Sequence, residues 1–196
     1  MMDFSIFKID FNQFNLKSEQ FDQLSNLHGI KHSYRVMLHC LRLGILTGRF
    51  KEAKNAFFGA YIHDMARLHD GYCTIHGANA ANHKLPVYKK LFCSFGADNE
   101  DLNIIKQIVS YHSLPNEIAA DSAIFSTLAI LKDADALDRI RLGKYDLNPD
   151  YLRMTASHNS IIFGEELFYR TNNHPIKSFN ELISVAMDIE KQSSRH

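Results

Sequence analysis

The sequence predicts an all-α fold, a single-domain helical bundle with a buried metal site. Three observations predict it. Apolar residues recur at three- and four-residue spacing over long stretches, the period of a helix face turned to a core. No strand series, internal repeat or long linker interrupts them. Three of the stripes also run into histidine or aspartate. Ala53, Ala56, Phe57 and Ala60 lead to Asp64 and Arg67, with His63 beside them. Leu102, Ile105 and Val109 lead to His112, and Ile124, Leu128 and Leu131 lead to Asp135 and Asp138. A charge carried onto a core face is costly unless it is paired or holds a metal.

Composition sets the limits. The 196 residues suit one domain with a sizeable core. Lys and Arg total 22 against 22 Asp and Glu, a formal net charge of zero, so no broad nucleic-acid or membrane footprint is expected. Cys40, Cys73 and Cys93 are isolated, without CxxC spacing. That fits a reducing compartment and argues against a disulfide framework or thiolate zinc site. No apolar run approaches membrane-span length, and residues 1–16 lack a basic-then-apolar leader pattern, so a cytoplasmic location is expected.

In order, residues 1–16 place Phe at 4, 7, 11 and 14, an aromatic arm laid on the body or a contact that permits a homodimer. Leu16 to Leu27 reads as a helix starting at Ser18. Gly29 breaks it, and a second helix runs from about Lys31 to Leu46, with His32, Val36, Cys40 and Leu43 on one stripe and Arg35 near His32. His28 falls in the turn and reads as a cap or surface residue; His39 reads as a partly buried structural residue. The third helix, about Phe50 to Arg67, carries the His-Asp pair. After an Asp70-Gly71 turn, His76 opens a small-residue helix, and residues 86–96 form another, with Pro86 at its start. Helices follow over 98–111 and 121–141. Asp138 and Arg139 read as a local ion pair. Residues 143–176 look irregular, with short helical pieces at 150–158 and 163–170, and a last helix runs from about Ser178 to Gln192 before a frayed tail.

The inward polar residues are then His32, His63, Asp64, His76, His112 and Asp135, from five separate segments. A mixed nitrogen and oxygen set suits one or two divalent ions of iron, manganese, cobalt, nickel or zinc. Six such residues exceed what one catalytic zinc takes. They suit two ions roughly 3.5–4 Å apart, bridged by a carboxylate, which generate a hydroxide and clamp phosphoryl oxygens.

The order His … His-Asp … His … His … Asp resembles the HD-domain superfamily of metal-dependent phosphohydrolases. The resemblance covers about residues 27–142. It is carried by His32-Ser33-Tyr34-Arg35-Val36, Tyr61-Ile62-His63-Asp64, His76-Gly77, Tyr111-His112 and Lys132-Asp133-Ala134-Asp135-Ala136-Leu137-Asp138. It implies a helical core over 17–142 with a C-terminal helical extension, 143–196, packed on it. His32, His63, Asp64 and Asp135 would be the four core ligands. Asp135 is chosen over Asp133 because Ala134-Asp135-Ala136-Leu137 matches the family's Ala-Asp-x-Leu context. Asp133 would orient a ligand or water. His76 and His112 match the extra histidines of binuclear members, including bacterial hydrolases of symmetric dinucleoside polyphosphates, in which Asp64 would bridge the ions. Arg67, and less directly Arg35 and Lys132, would hold phosphate oxygens; Arg67 reads equally as a salt bridge to Asp64 or Asp135, and Arg35 as the partner of a buried carboxylate.

The implied activity is hydrolysis of a phosphate ester or anhydride, of a nucleotide or dinucleoside polyphosphate, by a hydroxide formed on the metal. The nucleoside would stack on Tyr145 or Tyr151. Arg67 stands where the superfamily's five-prime nucleotidases place a Glu, which argues against that branch. The Gly-Tyr-Pro signature of the cyclic-dinucleotide branch is absent, and the chain is much shorter than the triphosphohydrolases. Two alternatives remain: a nuclease on single-stranded nucleic acid, disfavoured by the neutral charge, and a non-catalytic signalling or scaffold module.

Overall fold

The structure, a computed structural model, describes residues 2–193, with side chains to 192. The expected fraying of the tail lies outside the described residues beyond 193. Among the described residues the chain is entirely helical, with no strand. Helices α1 (Ile30–Thr47) and α2 (Phe50–Ile62) pack side by side as the central pair. Helix α6 (Phe125–Leu137) lies against both, and α5 (Asn99–His112) lies against α2. Gly48 makes the turn between α1 and α2 at φ +70°, a left-handed conformation that closes a helix without a Cβ penalty. Asp98 and Asp101 form a capping box at the start of α5.

The Phe-rich N-terminus forms two 3-10 turns, Phe4–Phe7 and Phe11–Phe14, capped by Asp3 and Asp10. The three-residue pitch of such turns puts successive phenylalanines on one side. Phe14 is fully buried, with its ring centroid 4.9 Å from Phe57, 5.4 Å from Tyr61 and 5.3 Å from Phe95. Edge-to-face contacts of this kind each add about 0.5–1.5 kcal/mol beyond area burial. The amide of Leu16 donates to the Tyr34 hydroxyl at 2.8 Å, fixing the arm to α1.

Several elements differ from expectation, each for a local reason. The helix expected over 16–27 is a 3-10 turn, Ser18–Gln20, followed by irregular chain. Its amides are used elsewhere: Asp22 N donates to Met65 O, and the Ser25 hydroxyl accepts from Leu27 N and His28 N. The third helix stops at Ile62 rather than Arg67. His63 Nδ1 donates to Ala60 O, and the chain continues in tighter turns, Met65 N to Ile62 O and Arg67 N to Asp64 O. The two helices expected after residue 75 join into one path: α3 (His76–Asn79), a π turn (Ala80–Lys84) and α4 (Leu85–Ser94). Pro86 has no N–H for the ladder, and a wider turn lies just upstream of it. Helix α6 is shorter than expected and is followed by a 3-10 turn, Arg139–Arg141. The irregular segment contains Pro149–Tyr151 in 3-10 form, α7 (Thr155–His158) and a longer α8 (Ile161–Asn172). Helix α9 (Phe179–Ser193) closes the described chain, with Phe179 fully buried against Phe57 and Tyr34. No described helix is long and apolar enough to cross a membrane.

Candidate metal centre

The six inward residues named from the sequence come together around Asp64. His32 sits in the first turn of α1, and His63 and Asp64 occupy the turn that ends α2. His76 opens α3, His112 closes α5, and Asp135 lies in the last turn of α6. Helix ends converge here, so side chains leave five backbones toward one point.

Asp64 is 5% exposed, and its two oxygens face different histidine pairs. Oδ2 lies 3.4 Å from His32 Nε2 and 3.6 Å from His63 Nε2. Oδ1 lies 3.1 Å from His76 Nε2 and 4.0 Å from His112 Nε2. Within each pair the Nε2 atoms are 3.1 Å apart. Asp135 joins the first pair, its Oδ1 3.4 Å from His32 Nε2.

The outer nitrogen of each ring is tied down. His63 Nδ1 donates to Ala60 O at 2.7 Å, His112 Nδ1 to Val109 O at 2.6 Å, and His76 Nδ1 to Cys73 O at 2.9 Å. His32 Nδ1 donates to Asp138 Oδ2 at 2.8 Å. Carbonyl and carboxylate oxygens only accept, so each ring carries a proton on Nδ1, and in a neutral ring Nε2 turns its lone pair inward. That is the arrangement that orients a metal-binding imidazole. Burial holds His63 neutral, its pKa pushed down to about 3, and likewise His112, at about 4. His76 is the exception: burial lowers it, but the hydrogen bond and attraction to Asp64 more than offset this and raise it. Burial pushes Asp135 up, yet its neighbours, Arg141 foremost, outweigh it and hold its carboxyl at about 2. Burial raises both Asp64 and Asp138, yet each is held below the usual carboxylate range, Asp138 by Arg35, the His32 hydrogen bond and Arg141, and Asp64 by the histidines around it.

These donors fit a metal. Ring nitrogens that face each other at 3.1 Å are placed to share a cation, and Asp135 Oδ1 is buried without a hydrogen-bond partner. Triads of His32, His63 and Asp135, and of His63, Asp64 and His112, hold their ligand atoms within 4.8 Å of one another.

The remaining expected site residues lie around this cluster. Arg67 lies against the His76 ring, its Nη1 3.1 Å from both ring nitrogens and 3.6 Å from Asp64 Oδ1, while Nη2 donates to Gly71 O. Arg35, expected to hold phosphate, is 2% exposed and committed to Asp138 and to the Phe168 ring face. Lys132 donates to the carbonyls of Leu114 and Asn116 and pairs with Glu117, anchoring the loop after α5. Asp133, expected to orient a ligand, instead accepts the amides of Arg153 and Met154 and an Arg153 guanidinium bond. The orienting carboxylate is Asp138. Its expected partner Arg139 pairs with Asp146, and Asp138 itself meets His32, Arg35 and Arg141. Its position on the α6 stripe was the available signal; its long-range partners had none. His28, expected at a surface, is buried with Nδ1 2.8 Å from Asp64 Oδ2.

A cavity of about 490 Å³ opens onto the centre, with His112 and Asp135 in its lining. Leu114, Pro115, Leu147 and Tyr151 give it apolar walls, and Lys132, Arg139 and Arg153 give it cations. Tyr151 lines it; Tyr145 does not, and stands exposed with the Lys144 ammonium 5.5 Å from its ring centroid.

Comparison with known proteins completes the description. The family model for the HD domain matches residues 29–140, more than half of the chain. No curated protein and no solved structure matches it.

Proposed function

This chain belongs to the HD domain family, and from that membership and the geometry at Asp64 we propose that it is a metal-dependent phosphohydrolase acting on a phosphate ester or anhydride of a nucleotide-sized molecule. One observation carries the reading: each oxygen of a single buried carboxylate faces its own pair of histidines with inward lone pairs. That arrangement supports two divalent ions, with His32, His63 and Asp135 holding one, His76 and His112 the other, and Asp64 shared. When bound, such ions activate a water and screen the charge that develops on phosphoryl oxygens.

The chain's own residues do the rest. The cavity beside His112 and Asp135 gives a small phosphate compound access to the centre, and its apolar wall excludes water from one side. Tyr151 offers a ring on which a nucleoside can stack, and Arg139, paired only at an exposed surface with Asp146, can turn to a phosphate. Arg67 stands beside the second pair and neutralises charge there.

The test is metal content counted per chain on protein purified without chelator, followed by hydrolysis of a panel of nucleoside mono- and polyphosphates. Near two ions per chain with phosphate release supports the reading. No ion after loading with manganese, iron, cobalt or nickel would take it down and leave a binding module.

A further inference from the structure

The loop before α1 is fixed more firmly than a connector needs to be. The Ser25 hydroxyl accepts from the amides of Leu27, at 3.0 Å, and His28, at 2.8 Å, and donates to Asp70 Oδ1. Arg141 Nε donates to Leu27 O at 2.9 Å. Asp22 N donates at 2.9 Å to the carbonyl of Met65, the residue after Asp64. At Gly29 a Cβ would lie 2.2 Å from the Ser25 carbonyl oxygen, so only glycine lets the loop close. All of this presents His28. It is 8% exposed, and its Nδ1 lies 2.8 Å from Asp64 Oδ2, shorter than the carboxylate's contacts with His32, His63, His76, His112 or Arg67. His28 is oriented oppositely to the other four histidines: they turn Nδ1 away from Asp64, and it turns Nδ1 toward it.

We propose that His28 is a positioning residue for Asp64, its Nδ1–H bond to Oδ2 fixing the carboxylate plane so that each oxygen faces its own histidine pair. The inference rests on the reading of the centre as a metal site. The χ2 torsion of an aspartate is broad and roughly two-fold, so nothing within Asp64 selects this plane. Arg67 reaches Oδ1 only at 3.6 Å, too long to fix it by hydrogen bonding, and the His76 contact, at 3.1 Å, is made to Oδ1 through a nitrogen that faces the centre, so of these contacts the His28 bond alone holds the carboxylate from behind. A ligating carboxylate oxygen keeps a second lone pair, so the His28 bond persists when an ion is bound, as partners behind metal ligands do.

The experiment titrates cobalt(II) into the wild-type protein and into His28→Ala, His28→Asn and His28→Gln, reading ions per chain, affinity and the visible absorption of the bound ion. The Asn amide nitrogen can stand in for Nδ1; the Gln nitrogen falls near Nε2. His28→Ala is expected to weaken binding by about 10–100-fold and to change the absorption. His28→Asn is expected to restore most of the loss, and His28→Gln is not. Circular dichroism checks that each variant is folded. Wild-type affinity and spectrum in His28→Ala, or equal behaviour of Asn and Gln, would overturn the inference while leaving the metal centre standing. A wild-type protein that takes up no cobalt would remove both.

Discussion

The two histidine pairs meet on one carboxylate but are held by different means. Behind His32 stands a charged cluster, Asp138 on its Nδ1, Arg35 and Arg141 on Asp138, and Asp135 at the rim, while His63 rests on the Ala60 carbonyl. Behind His76 and His112 stand backbone carbonyls, and the two rings approach because Gly77 lets α3 press onto α5. The first pair gathers carboxylates around a cation, and the second offers mainly neutral donors beside the cationic Arg67. For the two ions proposed above, electrostatics would make the first pair the tighter place and the second the more exchangeable one.

The largest effect that tests this contrast comes from the residue the pairs share. Asp64→Ala is expected to abolish retained metal and bring phosphate release to background while helical content is kept; one ion retained per chain would show that the pairs are independent.

Next come the pairs taken separately. After dialysis, His112→Ala is expected to keep close to one ion per chain, and His63→Ala clearly less. The reverse order in elemental analysis would break the comparison.

Gly77→Ala asks whether helix approach builds the second pair. Its Cβ would lie 2.4 Å from Val109 O and 2.9 Å from His112 Nδ1. Urea unfolding is expected to show a loss of about 1–3 kcal/mol, with selective loss of the second ion. Full retention of both ions would mean that packing at Gly77 does not set the His76–His112 distance.

The smallest effect concerns the charged side. His39 is fully buried behind Asp138 and Arg35, with both ring nitrogens unpartnered. Burial lowers its pKa to about 3, only partly offset by the attraction of Asp138. The unfolded chain takes up a proton near pH 6.5 that the folded chain refuses until about pH 3. This stability is therefore present above about pH 6.5 and is lost as pH falls, at up to about 1.4 kcal/mol per pH unit. His39→Leu is expected to shrink the stability difference between pH 7 and pH 5 by about 2 kcal/mol. An unchanged difference would mean that His39 is protonated in the folded protein.

The all-helical class, the start of a helix just after Gly29, and the apolar stripes running into His112 and Asp135 were legible along the chain, because helical period and backbone punctuation are local properties. So were the six residues that meet at Asp64: each lies at or near the end of an apolar stripe or at a helix start, where the direction of a side chain follows from its own element. Other features were not legible. Leu16 to Leu27 has helical pattern but spends its amides on Met65 and on the Ser25 hydroxyl. The helix carrying His63 ends early because the His63 ring takes the Ala60 carbonyl.

Partner choice was decided by tertiary structure alone. Asp133 and Asp138 look alike in the sequence, both acids on α6 or at its end, yet one holds Arg153 and the other holds His32 and Arg35. Arg35 reads in the sequence as a partner of a buried carboxylate or of substrate, and folding chose the carboxylate, Asp138, across 103 residues. His28 looked like a turn residue until the Ser25 turn and Gly29 aimed it at Asp64. The sequence by itself determined which donors the centre has, because residue type and helical face are written locally. Which carboxylate faces which ring depends on distances between elements remote in the chain, and only packing sets those.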